Sequence, residues 1–148
     1  MHLQEKFDRH GVLDSVVFMK NEEFFENHLK MYENIDVALD TFPYNGVTTS
    51  FESIWMGVPV ITMEGFNFNS RCGESINRNI GMDYLVSKNE EEYISKVIQL
   101  GNDKKKLLEI RKKIFHNCLS SPLFNQKDFS YNFFESIENI LQSSYVST

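Results

Sequence analysis

A glycine and two threonines in the segment Asp40–Gly57 (DTFPYNGVTTSFESIWMG) have types and a spacing that suit chemistry. An apolar run ends at Asp40, a loop containing Gly46 follows, and a helical pattern begins at Thr48 or Thr49. The start of a helix carries unpaired N–H donors and about half a positive charge. Such a start binds phosphate groups, and a glycine lets the backbone approach the anion closely. The segment therefore predicts a phosphate or diphosphate site.

The same residues support a second, purely structural interpretation. Thr49 and Glu52 have the spacing of a capping box, in which each side chain bonds to the other residue's backbone N–H. The two interpretations are compatible, because a capped helix start still offers other N–H groups. Neither G-x-G-x-x-G nor G-x-x-x-x-G-K-[ST] occurs, so a dinucleotide fingerprint and a P-loop are not supported.

The elements that must position this segment alternate between short apolar runs and helical patterns. Strands are predicted at Ser15–Met19, Ile35–Thr41, Pro59–Met63 and Tyr84–Ser87. Helices are predicted at Leu3–His10, Asn21–Glu33, Thr48–Met56, Ser70–Ile80, Glu90–Leu100, Lys104–Cys118 and Lys127–Leu141. The alternation predicts an α/β fold, a parallel sheet with helices on both faces followed by C-terminal helices. Ligands of such sheets bind outside the carboxyl ends of the strands, where the segment lies.

Composition and charge exclude several classes of protein. The 148 residues suit about one domain, and a net charge of -6 does not suit a dedicated nucleic-acid binder. No apolar run reaches the roughly 20 residues of a membrane span, and the N-terminus lacks a signal-peptide apolar region. The two cysteines form no C-x-x-C pair. We therefore expect reduced thiols and a cytoplasmic protein.

A metal site is a further alternative. Asp36 and Asp40 flank the second predicted strand, but the sequence offers no compact cluster of Asp and His residues around them. We therefore expect neither a metal nor another cofactor. Arg71, near the carboxyl edge of the sheet, is expected either to approach a phosphate or to hold a buried carboxylate.

One run, DVALDTFPYNGVTTSFESIWMGVPVITMEG, resembles the C-terminal half of the protein O-linked N-acetylglucosamine transferase family. That family includes bacterial homologues and the Spindly-type plant enzymes. Further matches follow in order at Ser70–Arg71, Ile80–Tyr93 and Ser120–Phe129. The resemblance extends from about Phe7 to Leu141, nearly the whole chain.

The resemblance implies a fold and a set of site residues. It implies the C-terminal, Rossmann-like half of a two-domain GT-B glycosyltransferase, which binds UDP and lies behind tetratricopeptide repeats. By this resemblance the diphosphate lies against Gly46, Val47, Thr48 and Thr49. Glu52 would bind the ribose, because a carboxylate accepts hydrogen bonds from both hydroxyls of a diol.

Other positions are implied to lie near the nucleotide, and one departs from the family. His28 corresponds to a family histidine on the preceding helix, and the backbone of Met19 and Lys20 is expected near uracil. Val47 stands where animal enzymes have histidine and many bacterial enzymes have glycine. Valine offers only its backbone N–H to a phosphate.

The implied reaction is inverting, metal-independent transfer of N-acetylglucosamine from UDP-GlcNAc to Ser or Thr of a protein acceptor. The catalytic residues are expected in an N-terminal half that this sequence lacks, together with the repeats, which indicates a fragment of a longer enzyme. Residues 1–120 are expected to form the UDP-sugar domain without its first strand, and 121–148 a C-terminal helix with a frayed tail. Without its partner half, that helix is predicted to expose an apolar patch. Two alternatives remain: a GDP-fucose-using relative, and a non-catalytic nucleotide-binding or interaction module.

Overall fold

The computed structural model of this chain describes residues 3–19 and 25–145. Its seven helices over these residues are α1 Leu3–Arg9, α2 Phe25–Lys30, α3 Thr48–Trp55, α4 Cys72–Asn79, α5 Glu90–Asn102, α6 Lys104–Ser120 and α7 Gln126–Tyr145. None of the helices in this part of the chain combines the length and the apolar character needed to cross a membrane.

Three short parallel strands form the sheet within the described residues. They are β1 Ala38–Leu39, β2 Val60–Met63 and β3 Val86–Ser87, in the spatial order β1-β2-β3. Each parallel pair is joined by a helical crossover, α3 or α4, as parallel pairing requires. The expected α/β fold with a parallel sheet is therefore present.

The sheet is covered on both faces. Successive side chains of a strand point to opposite faces. On β2, the Thr62 side chain lies against Gly73 of α4, while Met63 lines a cavity with Tyr93 of α5. The helices α4 and α5 thus lie on opposite sides of the sheet.

Helix α6 lies at the amino ends of the strands. Arg111 donates to the carbonyl of Ile35 at 2.8 Å, and Asn117 donates to the carbonyl of Ile80 at 2.8 Å. Between this helix and the sheet lies the apolar core, whose fully buried members include Ile54, Ile61, Ile80, Leu85, Leu100 and Ile114. The loop after β1 lies at the opposite, carboxyl end of the strands.

The predicted strand Ser15–Met19 is wrong. A 3₁₀ turn occupies Leu13–Ser15, and residues 16–19 pair with no strand among the described residues. Val17 is 84% exposed, because no neighbouring strand covers the segment. The predicted helix Asn21–Glu33 is described from Phe25 onward, as α2 followed by a 3₁₀ turn at Met31–Asn34.

Three of the predicted helices end beside a glycine. Gly11, Gly57 and Gly81 have φ angles of 66°, 72° and 66°, the left-handed conformation that ends a helix at low cost for glycine.

The exposed apolar patch expected on the last helix is present on α7. Phe129, Phe133 and Phe134 are 67%, 51% and 64% exposed, and Phe129 and Phe133 stack on each other. The helix continues through Tyr145, four residues beyond its predicted end at Leu141. Residues 146–148 lie outside the described part of the chain.

Candidate functional site

Asp40 organises the loop that connects β1 to α3. Its Oδ1 accepts the backbone N–H of Gly46 at 2.7 Å, and its Oδ2 accepts the hydroxyl of Thr62 at 2.7 Å. Burial raises the pKa of the Asp40 carboxyl, while the hydrogen bonds from Thr62 and Gly46 act in the opposite direction. The Asp40 carboxylate thus fixes the loop to the sheet.

Asn45 anchors the same loop to α4. It is 1% exposed, its Nδ2 donates to the Thr41 carbonyl at 2.8 Å, and its Oδ1 accepts the N–H of Gly73 at 3.2 Å. Its own N–H donates to the Asn69 carbonyl at 3.0 Å. Because every polar group of its side chain is bonded, the loop has little freedom to move away from the carboxyl edge.

The start of α3 is open. Val47 occupies the N-cap position without a side-chain capping hydrogen bond, and the first helical N–H to find a partner is that of Phe51, which donates to Val47 at 3.0 Å. The earlier N–H groups therefore lack partners in the helix. Val47, Thr48 and Thr49 are all exposed residues.

The predicted capping box is therefore wrong. Thr49 lies inside the helix, and Glu52 bonds elsewhere: its Oε2 accepts from Tyr32 at 3.0 Å and lies 2.9 Å from Nε2 of His28. Helix α2 and the turn after it bring these two aromatic partners to the carboxylate. Glu52 bonds to Tyr32 and not to the helix start, because Tyr32 is buried and its hydroxyl reaches α3.

A cavity of about 190 Å³ lies between β1 and α3. Its lining is mixed, with hydroxyls from the helix and a carboxylate from the loop: Tyr32, Ala38, Leu39, Asp40, Thr49, Ser50, Ser53 and Val60. Thr49 of the open helix start and Tyr32 of the Glu52 cluster both line this cavity, and the Tyr32 hydroxyl lies 3.4 Å from the Thr49 carbonyl oxygen. Such a site can bind a ligand with an anionic group and a hydroxylated group.

The remaining predicted site residues are Arg71, Met19 and Lys20. Arg71 pairs with the buried carboxylate of Glu74 at 3.0 Å, one of the two alternatives, and lines an apolar groove of about 350 Å³ with Val47. Met19 is 53% exposed and makes no hydrogen bond to the site among the described residues. Lys20 lies outside the described residues.

Within residues 3–19 and 25–145, no group of three His, Cys, Asp or Glu side chains could hold a metal ion.

Sequence reasoning missed Tyr32, Asn45 and the organising role of Asp40. Tyr32 follows His28 by four residues, a spacing that places both side chains on one helical face and is a detectable signal. Asn45 gave no signal beyond its place in a turn.

The match to the family model for "Glycosyl transferase family 41" extends over residues 1–133. This chain belongs to glycosyl transferase family 41. The fold inferred from the sequence, the Rossmann-like half of a GT-B glycosyltransferase, agrees with a solved structure, an O-GlcNAc transferase mutant (K341M) from Thermobaculum terrenum. That structure aligns with a TM-score of 0.86 and 34% identity, over 93% of this chain and 26% of its own.

Two curated relatives illustrate the range of similar sequences. A probable UDP-N-acetylglucosamine–peptide N-acetylglucosaminyltransferase SPINDLY from Solanum lycopersicum is 38% identical over 119 residues, 80% of this chain. A UDP-N-acetylglucosamine–peptide N-acetylglucosaminyltransferase from Caenorhabditis elegans is 31% identical over 131 residues, 88% of this chain. The aligned part of this chain covers 12% and 11% of the lengths of these relatives.

Proposed function

We propose that this family 41 chain is the nucleotide-sugar-binding part of an enzyme that transfers N-acetylglucosamine from UDP-GlcNAc to Ser or Thr of proteins. The observation that carries the proposal is the open start of α3 beside the Glu52 carboxylate, in one site. The helix start suits a diphosphate, and the carboxylate suits the ribose diol one helical turn away. The names of the relatives support the sugar and the protein acceptor.

The proposed chemical contribution of this site is stabilisation of the leaving group. As the glycosidic bond breaks, UDP gains negative charge on its β-phosphate. The N–H groups at the start of α3 would donate to those oxygens, and each donor of this kind is worth about 10²–10³ in rate in comparable oxyanion sites. Val47 would contribute through its N–H alone. The proposed transfer proceeds with inversion and without a metal.

The rest of the proposed activity depends on more than this segment. Because the chain spans about an eighth of its curated relatives' length, we propose that the catalytic residues, the acceptor site and the tetratricopeptide repeats are provided by the remainder of a longer, cytoplasmic protein. The proposed partners are the nucleotide sugar and a protein substrate.

Calorimetric titration of the purified chain with UDP, with GDP in parallel, tests the proposal. We expect saturable binding of UDP in preference to GDP. Preference for GDP would indicate the fucosyltransferase alternative. Binding of neither nucleotide by a chain whose circular dichroism shows that it is folded would contradict the proposal.

Thr49→Ala distinguishes a binding role from a structural one. Because α3 starts without a side-chain cap, removing this hydroxyl should leave the melting temperature unchanged while UDP binding weakens. Loss of a functional capping hydrogen bond would instead cost about 1 kcal/mol of stability with unchanged binding.

A further inference from the structure

Tyr32 is the residue of the site for which neither the resemblance nor the relatives supply a role. It lies in the 3₁₀ turn after α2, is 8% exposed, and its hydroxyl donates to Oε2 of Glu52 at 3.0 Å. The same hydroxyl is 3.4 Å from the Thr49 carbonyl. Tyr32 therefore contacts both functional parts of α3, the open start and the carboxylate.

All hydrogen bonds of the Glu52 side chain to described residues converge on one oxygen. Tyr32 and His28 both bond to Oε2, and no described group bonds to Oε1. The His28 and Tyr32 rings meet edge to face at 5.8 Å, so each ring limits the rotation of the other. One carboxylate oxygen is fixed by the protein, and the other is left to accept hydrogen bonds from a ligand.

We infer that Tyr32 is a positioning residue, which holds Glu52 so that Oε1 is presented to the ribose hydroxyls of the nucleotide. This inference rests on the proposed function, because it assigns the ribose to Glu52. In this role Tyr32 acts through Glu52 and takes no part in the reaction itself. It reduces the rotamer freedom that Glu52 would otherwise lose on binding, and such pre-organisation increases affinity.

Of the two partners of Glu52, Tyr32 is the one whose role as a hydrogen-bond donor is fixed. Burial first, and then the hydrogen bond to Glu52, raise the pKa of Tyr32 to about 12. Its hydroxyl therefore stays protonated throughout the neutral range. The role of His28 depends on which ring nitrogen carries the proton.

Tyr32→Phe removes one oxygen atom and keeps the ring. Because Glu52 retains His28 as a partner, the variant should fold, which a circular dichroism melting curve checks. The matched control is Tyr84→Phe, which removes a hydroxyl bonded to Gln99 and Lys106, residues outside the site.

The test compares two ligands that differ only at the ribose, UDP and 2′,3′-dideoxy-UDP, which lacks both hydroxyls. We expect Tyr32→Phe to weaken UDP binding about tenfold, the equivalent of one hydrogen bond to a charged group, and to leave binding of the dideoxy ligand unchanged. In a Glu52→Gln background the same substitution should have no further effect on UDP, because the positioned carboxylate is already absent. Tyr84→Phe should bind both ligands as the unmodified chain does.

Three results would overturn the inference, and they separate it from the proposed function. If the unmodified chain binds UDP and Tyr32→Phe binds both ligands normally, Tyr32 positions nothing. If Tyr32→Phe weakens both ligands equally, Tyr32 supports the whole pocket and not the ribose contact. If the unmodified chain itself does not bind UDP, the proposed function fails and the inference fails with it.

Discussion

At the scale of single residues, Glu52 has the most specific expected role. Glu52→Gln keeps the size of the side chain but halves its acceptor capacity and removes its charge. We expect affinity for UDP to fall about tenfold, the equivalent of 1.4 kcal/mol, and affinity for inorganic pyrophosphate to stay the same. Calorimetric titration with both ligands measures this difference. Equal losses for UDP and pyrophosphate would exclude the ribose assignment.

Asp40 provides a pH-dependent prediction. Its pKa is raised in the fold by burial, so protonation favours the folded state. Its contribution to stability is therefore greatest below the ordinary pKa of an aspartate and is lost as pH rises through the raised pKa. Asp40→Asn removes this titration. The free energy of unfolding of the unmodified chain, relative to the variant, should rise as pH falls from 7 to about 4.

Urea unfolding at both pH values measures this change. Asp36→Asn is the matched control, because Asp36 is an exposed aspartate just before β1. A relative stability that does not change with pH, or that falls on acidification, would contradict the role assigned to burial at Asp40.

The residues themselves show where local sequence rules stop. The positions of Gly46, Thr48 and Thr49 around a helix start could be predicted, because helix starts have local signals. The partner of Glu52 could not, because Tyr32 reaches it from twenty positions earlier in the chain. The contact between Tyr32 and Glu52 excludes the capping box, and no local sequence pattern contains that contact.

At the scale of elements, the site depends on how closely α4 approaches the end of β1. A Cβ atom on Gly73 would lie 2.2 Å from Oδ2 of Asp40 and 2.4 Å from Oγ1 of Thr62. Gly73→Ala therefore forces α4 away from the sheet or breaks the Asp40 hydrogen bond that holds the loop. We expect a loss of about 1–3 kcal/mol in the free energy of unfolding, together with weaker UDP binding.

Gly101→Ala is the matched control for this prediction. Gly101 lies in α5, where an added Cβ meets nothing within 4 Å. Alanine there should increase stability by about 0.5–1 kcal/mol, since glycine is a poor helix former. Chemical denaturation of both variants gives the comparison. Equal effects of the two substitutions would show that the close approach of α4 is not needed.

The helices are predicted more closely than the strands. Helices α1, α3, α4, α5 and α6 lie within two residues of their predicted bounds, because apolar periodicity and a glycine or a cap define their ends. The strands are two to four residues long and depend on neighbours. The apolar run at Ser15–Met19 has the composition of a strand, but it has no strand beside it among the described residues.

At the scale of the whole molecule, apolar residues are divided between a buried core and an exposed helix. The core forms where α6 packs beneath the sheet, and Ile114 is fully buried there. Helix α7 leaves this body and exposes phenylalanines that composition alone would place inside. Composition gives the number of large apolar side chains. Whether they are buried depends on where the helix that carries them lies relative to the core.

This division predicts effects of very different size for two large-to-small substitutions. Ile114→Ala should lower the free energy of unfolding by about 2–5 kcal/mol, because it removes buried methyl groups and leaves a cavity among packed neighbours. Phe133→Ala should change the free energy of unfolding by less than about 0.5 kcal/mol, because Phe133 is 51% exposed and its ring contacts are with Phe129 and Phe134 of the same helix. Urea unfolding of the two variants measures both values, and sedimentation velocity at low and high concentration reports association through the patch. Phe133→Ala should reduce any concentration-dependent association, since large exposed apolar patches promote it. A loss of several kcal/mol for Phe133→Ala would mean that α7 folds back onto the body in solution.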